Sequence, residues 1–254
     1  MQQIDSMKKI AVIILAAGLG TRMKSDKAKV LHEILGRPMI LYVVETAVKV
    51  AGNQIVVVIG NQAETVREAV SAKYQVCFAL QEKQLGTGHA VMCALPEVPE
   101  SAEDVLILCG DVPLIRSDTL LRLLENHLKN RHDISLLAVN TDNPAGYGRI
   151  LMNKNMQLAG IVEERDATAE QKNIKTVNTG IYCVKKHFLK QALQKIRPNN
   201  VQKEFYLTDI IGIAYREGKN LGILIGDRSD EVTGINTPEE LKNVETVMRS
   251  EKIS

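Results

Sequence analysis

Short runs of aliphatic residues punctuate the first half of the chain at residues 10–16, 54–59, 75–80, 105–108 and 134–139. They are nearly all apolar rather than alternating, which predicts strands covered on both faces, and the stretches between them are long enough for crossover helices. Pro38 opens a helical pattern over 39–50, and Ser117 can cap a second helix whose Leu120, Leu124 and Leu128 share one face. The expected fold is α/β: a doubly wound, mostly parallel, Rossmann-like sheet.

After Asn140 the pattern changes to short strands near 148–152, 158–163 and 177–185, with a polar stretch over 165–175. We expect a small β-rich insertion over about 141–185 that forms one wall of a cleft. The chain then returns to a helix near 207–217 and a strand near 221–225. The last helix has a well-defined start: Thr237 as N-cap, Pro238 at the first helical position and Glu240 three residues on form a capping box, with Leu241, Val244 and Met248 along one face. The predicted organisation is one domain over 1–236 followed by a linker-like helix over 237–254. There is no internal repeat and no hexapeptide β-helix array.

Composition narrows the partners. Lys and Arg total 32 against 30 Asp and Glu, a net charge of +2, too small a field to argue for nucleic acid or membrane. The four cysteines, Cys77, Cys93, Cys109 and Cys183, have no paired spacing and read as reduced core thiols. Lys8 and Lys9 before the apolar run at 10–17 imitate an export signal, but the run stops at Gly18 and leads into a loop, so a cytoplasmic protein is expected.

The strongest chemical feature follows the first strand: Leu15-Ala16-Ala17-Gly18-Leu19-Gly20-Thr21-Arg22-Met23, then Lys29. In an open α/β sheet ligands sit beyond the carboxyl ends of the strands, where small residues let backbone N–H groups approach phosphate oxygens. Met23 stands where a dinucleotide fingerprint needs Gly or Ala, and no GxxxxGK[ST] occurs. Asp111, reached through Cys109 and Gly110 at the end of an apolar run, suits a metal ligand, although Gly-Asp-x-Pro is also turn chemistry.

The segment Leu15 to Met23 followed by Lys29-Val30-Leu31-His32-Glu33-Ile34-Leu35-Gly36-Arg37-Pro38-Met39 resembles the signature of the sugar-nucleotide pyrophosphorylases. Further matches come in order: Gln81 with Gln84-Leu85-Gly86-Thr87-Gly88-His89-Ala90, Gly110-Asp111-Val112-Pro113-Leu114, Gly146-Tyr147-Gly148-Arg149-Ile150, Ile161-Val162-Glu163, Asn178-Thr179-Gly180, Glu204-Phe205-Tyr206-Leu207-Thr208-Asp209 and Gly234-Ile235-Asn236. Together they are similar to the uridylyltransferases of N-acetylglucosamine 1-phosphate, in particular to the pyrophosphorylase half of the bifunctional bacterial type, without its acetyltransferase half.

That resemblance implies a sheet of the nucleotide-diphospho-sugar transferase type, Mg²⁺ as cofactor, UTP and N-acetylglucosamine 1-phosphate as substrates, and cell-envelope precursor synthesis as the setting. Arg22, Lys29 and Asp111 are the expected catalytic residues, with Asp111 and Asn236 holding the metal. Leu15, Ala16, Ala17, Gly18, Gln81, Gly86, Cys109 and Gly110 are expected against the nucleotide, and Thr87, Gly148, Glu163 and Asn178 against the sugar. Each has a plainer reading: Arg22 and Lys29 as solvated cations, Asn236 as a loop cap, Gln81 as surface, Glu163 paired with Arg165 or Lys175. Ala28 stands where relatives commonly carry proline, which could loosen the loop presenting Lys29, and Cys109 replaces a tyrosine of some relatives. His89 is expected only to start a helix, and Asp209 to start a helix or support the metal from behind. Another sugar-1-phosphate nucleotidyltransferase and a non-catalytic nucleotide-sugar sensor are the alternatives. A monomer or weak homo-oligomer is expected.

Overall fold

The computed structural model describes residues 9–253. Its centre is β1 (Ile10–Leu15), flanked in parallel by β4 (Ile55–Ile59) and β6 (Asp104–Cys109), with Val12 opposite Ile55 on one side and Leu106 on the other. Each is apolar throughout, apart from Asp104 at the start of β6, because both faces are covered: Ile10, Val12 and Ile14 enter one hydrophobic cluster while Ala11 and Ile13 enter another. On the first face lie α1 (Met39–Ala51), α2 (Ala63–Ser71), α4 (Ser117–Lys129) and the final α7 (Pro238–Ile253); on the second lie α3 (Thr87–Ala94), α5 (Lys186–Leu193) and α6 (Asp209–Arg216).

The sheet continues through β5 (Cys77–Leu80), parallel to β4, at one edge, and through β10 (Thr176–Lys185), β7 (Ile134–Asn140) and β11 (Leu221–Ile225) at the other. β10 runs antiparallel to both β6 and β7, and β11 returns parallel to β7. The sheet is therefore mixed with mostly parallel strands. A hairpin of β8 (Arg149–Met152) and β9 (Leu158–Val162) hangs from β10 through the Val177–Arg149 pair. Of the segment expected to form an inserted wall, only this hairpin stands off the main sheet, because Tyr182, Cys183 and Val184 of β10 pair between two central strands. A two-residue ribbon, β2 (Glu33–Ile34) with β3 (Arg37–Pro38), completes the strands.

Helix starts differ in how they are made. At α7 the capping box forms as predicted: Glu240 N–H donates to Thr237 Oγ1 at 3.2 Å and Thr237 N–H to Glu240 Oε2 at 2.9 Å. Val244 is buried, with Leu241 and Met248 packed beside it. At α4, by contrast, Ser117 is already helical, Arg116 holds the N-cap position without a side-chain bond, and Leu123 is buried with Leu120 and Leu124 while Leu128 only borders the core. Tertiary burial of the leucine face, rather than a serine cap, fixes this helix. The cysteines are all free, but Cys77 is exposed and only Cys183 fully buried, so they are not uniformly core thiols. Among the described residues no helix is long and apolar enough to cross a membrane.

Leu106 is fully buried at the middle of the sheet, so Leu106→Ala is expected to cost about 2–5 kcal/mol in urea unfolding; a loss below about 1 kcal/mol would show that the sheet centre is not close-packed.

Candidate active site

The carboxyl ends of β1 and β6 and the turn after β5 meet at one cavity of about 400 Å³ lined by Leu15, Ala16, Ala17, Gly18, Lys29, Gln81, Gly86, Thr87, Cys109 and Asp111 among others. Ala16 N–H donates to Val58 O at 2.9 Å and Gly110 N–H to Leu15 O at 2.9 Å, so the strand ladder continues into the loop and holds its first residues rigid. A side chain built on Gly18 would meet nothing within 4 Å, so the space over this residue is open to a ligand. Gly20 has a different constraint: φ is +64°, and an added Cβ would lie 2.6 Å from Lys29 Cβ. The lysine stem packs on that glycine, which sets the direction in which the ammonium leaves the loop.

Lys29 Nζ forms a very short ion pair with Asp111 Oδ2 and donates to Asn236 Oδ1 at 3.1 Å. Arg22 donates to the same Asn236 oxygen at 3.0 Å. Lys29 and Asp111 side chains are only 15% and 17% exposed, so water screens this pair poorly. Asn236 is in turn held from behind, because its N–H donates to Glu240 Oε2 at 2.6 Å, which extends the α7 capping box by one residue. Ile235 N–H donates to Asp111 O at 2.9 Å, tying the two oxygen-bearing side chains to neighbouring backbone.

Ala28 gives this loop a hydrogen bond that proline could not make. Its free N–H, which a proline would lack, donates to Gln62 Oε1 at 2.9 Å, and Gln62 Nε2 donates to Asp26 O. One glutamine between β4 and α2 thus braces the turn that presents Lys29. Cys109 packs against Gly180, and burial together with the neighbouring Asp111 carboxylate pushes its thiol up to about 12, so it stays protonated and is no nucleophile.

Gln81 is 3% exposed and donates through Nε2 to Gly86 O at 3.1 Å and to His89 Nδ1 at 3.0 Å. It is buried wall, not surface. Gly86 at φ +108° admits no side chain, since a Cβ would stand 2.6 Å from Phe205 O.

Of the residues expected against a sugar, Thr87 lines the cavity and the other three lie to one side. Gly148, Glu163 and Asn178 meet each other, a Cβ on Gly148 falling 3.4 Å from Glu163 Oε2 and 3.6 Å from Asn178 Cβ, but none of the three lines the cavity wall. Glu163 accepts from Thr208 Oγ1 at 3.0 Å, and burial raises its carboxyl above the ordinary glutamate range despite that bond. Neither predicted cationic partner takes it: Lys175 pairs with Asp142 at 2.7 Å. Asn178 spends its amide on Tyr182 Oη and Gly180 N–H. The fully buried Arg149 braces this wall from inside, paired with Glu164 at 2.7 Å. Asp209 starts α6 and lines a separate pocket with Arg216, so it does not back Asp111 and Asn236.

The structure thus brings Arg22, Lys29, Asp111 and Asn236 into one polar cluster beside the cavity, and leaves Gly110 beneath it, packed on Ile40 and Leu15. Gln84 and Glu204 also line the cavity without having been singled out, although both fall inside motifs quoted above; Gln62 had no sequence signal.

The profile of the MobA-like NTP transferase domain matches residues 12–174. The chain belongs to this family. As a MobA-like NTP transferase it is 45% identical over 240 residues to the bifunctional protein GlmU of Syntrophotalea carbinolica, covering 94% of this chain and 51% of that protein. The GlmU of Caldicellulosiruptor saccharolyticus is 47% identical, covering 92% of this chain and 50% of the relative, so the chain spans about half the length of these two relatives. The GlmU of Desulfotalea psychrophila is 42% identical over 94% of this chain and 70% of its own length. Among solved structures, one from Bacillus anthracis, provisionally described as a glucose-1-phosphate thymidylyltransferase, shares the fold with a TM-score of 0.72 at 19% identity, covering 94% of this chain and 95% of that one.

Gln62→Ala is expected to lower NTP transferase turnover several-fold while the circular dichroism spectrum is unchanged. Unaltered turnover would mean that the turn around Ala28 holds Lys29 without the glutamine.

Proposed function

We propose that this chain transfers the uridylyl group of UTP to N-acetylglucosamine 1-phosphate, giving UDP-N-acetylglucosamine and pyrophosphate, in the cytoplasm and as a monomer or weak homo-oligomer. The observation that carries the reading is the convergence of Arg22 and Lys29 on the oxygens of Asp111 and Asn236 beside a cavity whose wall also holds Gln81. The motif series, the family and the GlmU relatives support it.

A phosphate oxygen of the sugar phosphate attacks the α-phosphorus of UTP, the bond to the bridging oxygen breaks, and pyrophosphate leaves. No protein nucleophile is needed, so the residues supply placement and charge neutralisation. Asp111 and Asn236 offer two hard oxygens side by side, and no described group of three or more His, Cys, Asp and Glu makes a full protein cage. That donor set fits Mg²⁺, which keeps several positions for water and phosphate oxygens. Bound there, the ion would supply positive charge to the phosphates undergoing transfer.

Asp111 and Asn236 would hold the ion through the oxygens that accept from Lys29 and Arg22, and those two cations are placed to serve the phosphates. The guanidinium fork of Arg22 suits the β- and γ-phosphates, and the point charge of Lys29 the α-phosphate. Gln81 reads the uracil edge, with backbone at Ala16, Ala17 and Gly86 beside it. Thr87, Gly148, Glu163 and Asn178 receive the sugar, Glu163 as an acceptor of hydroxyls.

The test is pyrophosphate release by the purified chain across a panel of nucleoside triphosphates and sugar 1-phosphates. UTP with N-acetylglucosamine 1-phosphate should be the preferred pair; preference for glucose 1-phosphate or dTTP would reassign the substrate, and no turnover with any pair would leave a sensor. Asp111→Asn should lower Mg²⁺-supported kcat at least about 100-fold in a folded protein, the scale for loss of a charge-stabilising group. Retained activity would remove Asp111 from the metal site.

Glu163 yields a pH dependence. Its carboxylate is the better hydroxyl acceptor and is lost as pH falls through a value raised above the ordinary 4.5. The KM for the sugar phosphate should therefore rise on acidification with a midpoint above 4.5, and Glu163→Gln should lack that inflection. An identical profile in the variant would take Glu163 out of sugar binding.

A further inference from the structure

Gln81 can read a base only if its amide has a fixed sense, since the same side chain turned over offers a donor in place of an acceptor. The carbonyl oxygen of Gly86 settles that sense: it carries no proton, so the Gln81 atom 3.1 Å from it is the amide nitrogen. The same nitrogen lies 3.0 Å from His89 Nδ1. An amide nitrogen accepts nothing, so Nδ1 must be the acceptor, and the neutral imidazole carries its proton on Nε2. There it faces Cys93 Sγ at 3.8 Å, a soft acceptor one helical turn on.

Both amide hydrogens of Gln81 are therefore engaged with the protein. Oε1 makes no hydrogen bond among the described residues, and Gln81 is a wall of the cavity. One anchor, at Gly86, would leave the amide free to swivel about that bond; the second, at His89, fixes its plane. A fixed acceptor selects among pyrimidines. Uracil presents N3–H to it, whereas cytosine presents a bare N3, lone pair against lone pair. A site that leaves polar groups facing without a shared proton rejects that ligand.

We infer that His89 is a positioning residue for base recognition: its Nδ1 locks the Gln81 amide so that Oε1 alone is offered to the nucleobase, favouring a pyrimidine with a proton on N3. The inference rests on the proposed function in taking Gln81 as the group that meets the base. His89 itself touches no substrate, and its place is set by α3, which starts at Thr87 beneath the Gly86 turn. The Phe205 ring, 6.4 Å away between centroids and tilted by 35°, lies beside the imidazole.

The first arm of the test needs no substrate. Two-bond proton–nitrogen spectra of the full chain labelled with ¹⁵N-histidine should show His89 as the Nε2–H tautomer; a protonated Nδ1 overturns the inference. The second arm compares UTP and CTP with N-acetylglucosamine 1-phosphate. His89→Leu should raise the KM for UTP about fivefold to tenfold, the scale of one lost hydrogen bond. It should narrow the UTP-to-CTP ratio of kcat/KM by a similar factor, with a smaller change in kcat. His89→Asn, whose Oδ1 can stand where Nδ1 stood, should restore most of that ratio, which a merely structural role would not predict. If wild type discriminates between the two nucleotides and His89→Leu does so equally, this inference alone fails. A wild type that ignores the base overturns the functional reading of Gln81, and this inference with it.

Discussion

The contact between Lys29 and Asp111 is the constraint around which the site is built. Two opposite charges, each with little exposed surface, sit where the dielectric is low, so removing either one leaves the other uncompensated. Three separate parts of the fold hold this pair in place. The parallel pairing of β1 with β6 brings the loop after Leu15 beside Cys109 and hence beside Asp111. The lysine stem rests on a glycine that tolerates no side chain. The α7 capping box, far along the chain, holds Asn236 so that one amide oxygen receives both Lys29 and Arg22. Asp111 neutralises Lys29, while the uncharged Asn236 amide oxygen accepts from both Lys29 and Arg22.

The layers of this fold were legible in the sequence because burial on both faces leaves an apolar run, and β1, β4 and the part of β6 after Asp104 are such runs. The start of α7 was legible for a local reason: Thr237, Pro238 and Glu240 complete their bonds within one turn. The direction of β10 was not. An apolar strand reads the same in either sense, and its antiparallel course shows only in its pairing with β6 and β7, whose residues are distant in sequence. Ser117 misled for a related reason, since a good capping residue at a helix start does not decide which residue becomes the cap.

In the site, the glycine loop after β1 stood out by its small residues at a strand end, whereas Asp111 was singled out by the family resemblance, because Gly-Asp-x-Pro is also turn chemistry. The supports had no such signal. Gln62 and His89 act through hydrogen bonds to partners distant in sequence or on a neighbouring element, and glutamine or histidine in a loop or on a helix carries no pattern of its own. Ala28 illustrates the difference: read alone it is a lost proline, whereas in the folded chain its N–H is the donor that Gln62 requires. Glu163 likewise turned to Thr208 rather than to either nearby cation, because burial and the start of α6 govern its surroundings.

The most direct measurement is a crystal structure of this chain with UTP and magnesium bound. The account predicts Asp111 and Asn236 oxygens on the ion, with Lys29 moved from Asp111 to a phosphate and the uracil edge against Gln81. Lys29 still paired with Asp111, and the ion held elsewhere on the triphosphate, would contradict it.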